Sequence, residues 1–176
     1  MQKRKKLDIK EIGIPTVSLF VICAVIAGAL AAVNAVTAEP IARNGARAAD
    51  AARQEMFPGA RFEGHGGYFT VMDQNGAPLG YCIDSEAQGY GGAIKITVGL
   101  DPGGGVLHVK VVSCDGETPG LGQRVKEESF LAQFAGKKDA VQADSIASAT
   151  YSSKGVENAV NQALEIYREQ IGGEGQ

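Results

Sequence analysis

The feature that most constrains this chain is a long uncharged stretch near its N-terminus. No Asp, Glu, Lys or Arg lies between Ile12 and Ala38, and residues 17–35 are mostly Val, Ile, Leu, Phe and Ala. A bilayer span takes about 20 apolar residues, so we expect residues 12–38 to form one transmembrane helix. Burying so apolar a helix inside a soluble fold would need a larger core than 176 residues can build around it.

The charges on the two sides of this stretch are unequal. Five basic residues precede it within the first ten positions, whereas the charges that follow closely are mixed in sign (Arg43, Arg47, Glu39 and Asp50). The positive-inside rule therefore predicts a cytoplasmic tail over residues 1–11 and a domain on the extracytoplasmic side of the inner membrane. A cleaved signal peptide is the alternative, since Val36, Thr37 and Ala38 resemble a cleavage site, but a signal's apolar core normally spans only about 7–15 residues.

Composition excludes other classes of function. The formal net charge is -3, which lacks the basic footprint of a nucleic-acid-binding protein, so we expect no nucleic-acid partner. The spacing of the three cysteines and two histidines does not suggest a metal site. Cys82 and Cys114 could pair outside the cell, and the sequence leaves this open.

Beyond residue 38 the pattern predicts a connecting helix and then an α+β domain. Residues 39–60 favour the helix, because Pro40 suits a first turn and Pro58-Gly59 suits an end. Short apolar runs flanking Asn75-Gly76 and a glycine-rich turn indicate two β-hairpins (68–72 with 79–83, and 94–98 with 106–112). Further helices are expected at 127–134 and 153–170. We therefore expect residues 61–176 to form an antiparallel-rich sheet packed with helices.

The last predicted helix is amphipathic. Its apolar positions recur at helical spacing, and we expect its polar residues to lie on the opposite face (Glu157, Asn158, Asn161, Glu165 and Arg168). Ser152 or Ser153 is expected to cap its N-terminus.

The segment directly before this helix, residues 144–153, is rich in small and hydroxylated residues. Free amides and the positive dipole end at a helix start favour an anion such as phosphate. An ordinary serine-rich capping loop would have the same composition, so both interpretations stay open on physical grounds.

The same segment resembles the flavinylation motif of the FMN-binding subunits of Rnf and Na+-translocating NADH:quinone oxidoreductase complexes. In that family an Asp, two variable residues, Ser or Thr, Gly, Ala and Thr follow one another. Asp144, Ala149 and Thr150 match, whereas Ala147 and Ser148 replace the hydroxyl residue and the Gly. The resemblance implies that a flavin transferase esterifies the phosphate of FMN to Thr150, and that Asp144 orders the loop or is recognised by the transferase. It also implies that neighbouring residues contact the cofactor (Ser148, Ala149, Ser152, Ser153 and Lys154).

A second segment, Glu117-Thr118-Pro119-Gly120-Leu121-Gly122, resembles the ETPGLG signature of that family. Pro followed by Gly predicts a type II turn. The resemblance implies that this loop lies beside the flavin, with Glu117 and Thr118 bonding the ring or ribityl chain and Leu121 packing on it. The family often has His two residues before the Glu, where Asp115 stands here, so no role of that His is carried over.

Taken together, the anchor and both motifs resemble the G-type subunits of Rnf complexes. The resemblance implies an electron-transfer flavoprotein in an ion-translocating ferredoxin:NAD oxidoreductase, with FMN as covalent cofactor, other membrane subunits as partners and no catalytic residue of its own. Three alternatives remain: the C-type subunit of the sodium-translocating NADH:quinone oxidoreductase, a membrane-tethered binding module without cofactor, and a regulatory or sensory FMN-binding domain.

Overall fold

The computed structural model describes residues 9–172, so most of the predicted cytoplasmic tail lies outside the described residues. A boundary between Asn44 and Gly45 divides the chain into two compact units. The described part of the first unit is helical, and its large apolar side chains are exposed, as for Phe20 and Leu30. The helix is long and apolar enough to cross a membrane by length and composition, with a mean hydropathy of 2.5 over its most apolar window.

Helix α1 runs from Ile9 to Met56 without interruption. The prediction that a new helix begins at Pro40 is therefore wrong, because Pro40 lies inside α1, as Pro15 does. Proline fixes φ at a helical value and removes one hydrogen bond. The alanine-rich sequence on both sides of Pro40 favours helix strongly enough to offset that loss.

Within the second unit, the described residues form a five-stranded antiparallel sheet in which each strand pairs with the next along the chain. The strands are β1 (Arg61–Gly64), β2 (Phe69–Met72), β3 (Pro78–Gln88), β4 (Ala93–Leu100) and β5 (Val106–Ser113). The α+β class and both predicted hairpins are confirmed. Strand β1 was not predicted, because its four residues are short of apolar side chains and largely exposed.

Helix α3 (Thr150–Gln170) packs on one face of the sheet. Val156, Val160 and Leu164 are fully buried there against Ile94 and Ile96 of β4. Each such side chain contributes about 1.5–3 kcal/mol by leaving water, so this contact fixes the N-terminus of α3 relative to the sheet.

The last turns of α1, inside the second unit, carry a buried arginine that pairs with a carboxylate of the sheet. Arg53 is 5% exposed, lies 2.5 Å from the Asp84 carboxylate of β3 and stands over the Phe69 ring of β2 at 3.9 Å. Thr97 donates to the same carboxylate at 2.6 Å. These contacts join the end of α1 to three neighbouring strands.

The predicted helix 127–134 is present as α2 (Glu128–Leu131) followed by a 3₁₀ helix over Ala132–Phe134. The start of α3 differs from the prediction. Ala149 occupies the cap position and makes no side-chain cap bond, whereas Ser152 and Ser153 lie inside the first turn and are each 2% exposed. The prediction that either serine caps the helix is therefore wrong, because both side chains are used in contacts with other loops.

Candidate functional site

A surface cavity of about 320 Å³ lies at the N-terminus of α3. Loops 89–92, 114–122 and 144–149 contribute its walls together with the first turn of the helix. Its lining residues are Tyr90, Thr118, Leu121, Gly122, Ser148, Ala149, Thr150, Tyr151 and Ser152. Six of the nine residues predicted to contact a cofactor are thus brought together, and Glu117, Ser153 and Lys154 are not among them.

The 114–122 loop contains the predicted type II turn. The Leu121 amide donates to the Thr118 carbonyl at 3.2 Å, and Gly120 has a φ of 76°. That conformation requires glycine at the third turn position. The turn leaves Leu121 44% exposed at the cavity, where it is available to a ligand.

Glu117 lies behind the cavity wall and is 2% exposed. Its carboxylate accepts hydrogen bonds from the Gly91 amide at 3.1 Å and from the Ser152 hydroxyl. A Cβ at Gly89 would come within 2.3 Å of one carboxylate oxygen, and a Cβ at Gly122 within 2.7 Å of the other. Gly89 and Gly122 therefore make room for a buried carboxylate, which ties two loops to the start of α3.

Loop 89–92 also approaches the 114–122 loop directly. A Cβ at Gly91 would lie 1.8 Å from the Gly116 carbonyl oxygen. Only side-chain-free residues permit such an approach of two backbones, so Tyr90 is held close to the turn that carries Leu121.

The segment that leads to Thr150 is held by side chains. Asn161 pairs with both the amide and the carbonyl of Val141, at 2.7 and 3.0 Å. Glu157 accepts from the Ala143 amide at 3.0 Å. Side chains of α3 thus make the hydrogen bonds to these backbone groups that a neighbouring strand would otherwise make.

The same arrangement continues closer to Thr150. Gln133 bonds the Asp144 amide at 2.8 Å and its carbonyl at 3.3 Å, while Ser153 Oγ accepts from the Ile146 amide at 3.0 Å. Asp144 itself is exposed, which is compatible with loop ordering through its backbone. The acceptor loop, residues 141–149, is therefore fixed on both sides.

The sequence does not predict the clamp that Glu157 and Asn161 form on residues 141–143. Its amphipathic pattern predicts that both residues lie on the solvent face of the helix. Glu157 is 6% exposed and Asn161 is half-buried, so that expectation is wrong for both. A signal was available, because Ser153, Glu157 and Asn161 recur every four residues and so form one polar stripe along the helix.

Thr150 is the first residue of α3, and its side chain is exposed at the cavity. The first hydrogen bond of the helix runs from the Ser153 amide to the Ala149 carbonyl at 2.9 Å. The amides of residues 150–152 come before it and point away from the helix, where they favour an anion. Ser148 precedes them with a φ of 63°, a left-handed conformation that suits the Gly found there in the family motif.

The remaining predicted phosphate contacts are engaged elsewhere. A hydroxyl has one proton, and Ser152 donates its proton to Glu117, so its backbone amide is the donor it can offer to the cavity. The Ser153 hydroxyl oxygen accepts from the Ile146 amide of the acceptor loop. Lys154 pairs with Glu157 at 2.7 Å. Their predicted bonds to a phosphate stay predictions.

The residues around this cavity are similar to a known protein family. Residues 89–165 match the family described as the FMN-binding domain. Over this range the chain is similar to the FMN-binding domain family. The matched range includes loop 89–92, the 114–122 loop, the acceptor loop and most of α3, so the residues that line the cavity all lie within it.

Relatives of this chain are subunits of ion-translocating complexes. The G-type subunit of the proton-translocating ferredoxin:NAD(+) oxidoreductase complex of Clostridium ljungdahlii is 37% identical over 98 residues, which cover 49% of this chain and 52% of the relative. The G-type subunit of the Na(+)-translocating ferredoxin:NAD(+) oxidoreductase complex of Acetobacterium woodii is 26% identical over 95% of this chain and 97% of the relative. The chain thus spans about half the length of the first relative and nearly all of the second.

Among solved structures, NqrC of Shewanella oneidensis matches with a TM-score of 0.48 and 24% identity, over 57% of this chain and 54% of that protein.

Proposed function

We propose that this chain is an electron-transfer flavoprotein subunit of a membrane-bound, ion-translocating ferredoxin:NAD oxidoreductase (Rnf) complex, with FMN joined by a phosphoester to Thr150 Oγ. The observation that carries the proposal is the position of Thr150 within the range that matches the FMN-binding domain family. Its exposed hydroxyl stands beside free helix amides in a cavity lined by the second family motif. The relatives that are G-type subunits of such complexes support the assignment to an Rnf complex.

The residues of the cavity fit FMN. The amides of residues 150–152 suit a phosphate, Ser148 and Ala149 form the adjoining wall, and Thr118 and Leu121 offer a hydroxyl and an apolar surface to the ribityl chain and ring. When bound, FMN supplies one- or two-electron transfer, while the chain positions it and excludes water from part of it. Glu117, Ser153 and Lys154 act behind this surface by holding the loops and the helix start.

The proposed arrangement in the membrane follows the sequence. Residues 1–11 form the cytoplasmic tail, 12–38 the span, 39–60 the connection and 61–176 the extracytoplasmic FMN domain. The apolar, exposed helix in the described part of the first unit supports a membrane span. Other Rnf subunits are the proposed partners in the membrane, and a flavin transferase is the partner for maturation.

A covalent tether suits such a location. Free flavin released outside the cytoplasm would be diluted away, whereas a tethered ring stays at a high effective concentration beside its cavity.

Intact-mass measurement tests the linkage. The full chain, coexpressed with a flavin transferase, should gain the mass of FMN less water. Thr150→Ala should abolish the adduct, whereas Ser145→Ala, which removes an exposed hydroxyl of the same loop, should retain it. An unmodified wild-type chain under these conditions would favour a tethered binding module without cofactor.

Copurification tests the complex. Membranes of the native host should yield the chain together with ferredoxin- or NAD-linked subunits, and loss of the chain should abolish ferredoxin-linked NAD reduction. Association with quinone-reducing subunits would instead favour the sodium-translocating NADH:quinone oxidoreductase, and isolation of a flavinylated chain alone would favour a sensory domain.

A further inference from the structure

We propose that Tyr90 and Tyr151 form the contact surface for the flavin ring at this cavity, a role that neither motif assigns. The inference rests on the proposed attachment of FMN to Thr150. It adds the residues that hold the ring itself, which the phosphoester does not position.

The first observation is the unusual exposure of these two side chains. Tyr90 is 70% exposed and Tyr151 is 73% exposed, and both line the cavity. The chain has five tyrosines, and the other three pack against the hydrophobic core (Tyr68, Tyr81 and Tyr167). Exposure of tyrosine is therefore confined to the cavity.

The second observation is the mutual geometry of the two rings. Their centroids lie 6.3 Å apart with an interplanar angle of 49°. The rings come from separate loops, and the close backbone approach of Gly91 to Gly116 holds Tyr90 in place. Because the rings are tilted and do not stack on each other, their faces stay open to a third flat aromatic group.

The third observation is proximity to the attachment point. Tyr151 directly follows Thr150 in the first turn of α3, and Leu121 adds an apolar side chain that is 44% exposed on the same cavity. A flat, largely apolar ring tethered at Thr150 therefore finds two aromatic faces and an aliphatic one beside its anchor. Contact with the ring would also remove apolar surface from water.

Flavin fluorescence reports such contact without any measurement of electron transport. A phenol in contact with the ring quenches the emission, because it donates an electron to the excited flavin. The electron then returns to the phenol without emission of light. Phenylalanine keeps the flat surface but is harder to oxidise, so Tyr→Phe separates quenching from packing.

The experiment uses the full chain, coexpressed with a flavin transferase and purified in detergent, with equal FMN loading confirmed by intact mass. In Tyr90→Ala and Tyr151→Ala we expect the fluorescence yield to rise, because each variant removes one of the two phenols that quench the ring. In the two Tyr→Phe variants we expect brighter emission with unchanged protection from iodide quenching. Leu121→Ala should increase iodide quenching, whereas Leu79→Ala, which truncates a leucine 43% exposed outside the cavity, should change neither.

The ring contact would be overturned if emission and iodide quenching were equal in the wild type, both tyrosine→alanine variants and Leu79→Ala. In that outcome, a mass adduct would still support the attachment of FMN to Thr150. Absence of the adduct from the wild type would overturn both proposals together. Should an alanine variant fail to fold or to be flavinylated, the corresponding Phe variant decides, because unchanged emission there contradicts the contact.

Discussion

Replacing Glu117 by alanine tests whether a buried carboxylate holds the cavity together. The side chain is 2% exposed and accepts from the Gly91 amide and the Ser152 hydroxyl. Hydrogen bonds to a charged acceptor contribute roughly 1.5–3 kcal/mol each. The Gly91 residue is exposed, so water can replace the acceptor there, whereas Ser152 is buried and loses its acceptor outright.

These contributions set the expected magnitude. Relief from burying a charge offsets part of the loss, so we expect Glu117→Ala to lower the free energy of unfolding by about 3 kcal/mol. For a domain of this size, 1 kcal/mol corresponds to roughly 3–5 °C in Tm, so the midpoint should fall by about 10 °C. Glu117→Gln keeps the shape and one acceptor oxygen, and we expect about half that loss.

Thermal unfolding of the full chain, followed by circular dichroism at several wavelengths, measures the effect. Asp115→Ala is the matched control, because it removes an exposed carboxylate two residues away and should change stability by less than about 0.5 kcal/mol. Equal midpoints for Glu117→Ala and Asp115→Ala would refute the structural role of Glu117.

Three further outcomes follow from the same contacts. Asn161→Ala should cost about 2 kcal/mol in urea unfolding by leaving two backbone groups unpaired, whereas the exposed Asn158→Ala should cost less than about 0.5 kcal/mol; equal costs would contradict the clamp. Ser148→Gly should raise Tm, because a left-handed conformation costs about 1 kcal/mol for a residue with a Cβ, and a lower Tm would contradict the strain. Burial raises the pKa of the Cys82 thiol to about 12 and also raises the pKa of the Cys114 thiol. Iodoacetamide at pH 8 should therefore label these two thiols only after unfolding. Labelling of either thiol in the folded protein would be inconsistent with their burial.

The elements with local sequence signals were predictable. The Pro119-Gly120 pair specifies its turn through backbone sterics alone, and Asn75-Gly76 specifies a hairpin in the same way. Both are confirmed. A helix start at this place in the chain was also predictable, because small hydroxylated residues precede an amphipathic repeat. The predicted start at residue 153 lies inside α3, which begins at Thr150.

The contacts that hold the acceptor loop were not predictable by the same means. The hydrophobic pattern of α3 places Glu157 on a polar face, and a charged residue on such a face is normally solvated. Here that face is covered by residues 141–146, which need side-chain acceptors and donors because they pair with no strand among the described residues. Which segment covers a helix face is a property of the tertiary fold, so a periodicity argument cannot supply it.

Thr150 and the residues around it have different structural roles, and this difference affects how a modification of Thr150 is interpreted. The backbone on one side is held through Ile146 and Ser153, and Ala149 is 5% exposed at the cap position, whereas the Thr150 side chain is exposed. Since the fold uses the residues around Thr150 but leaves its side chain at the surface, a flavin can be attached there without breaking a structural contact of a buried group. Loss of the adduct in Thr150→Ala would therefore report the missing acceptor atom rather than a collapsed loop, which is the distinction that the attachment proposal requires.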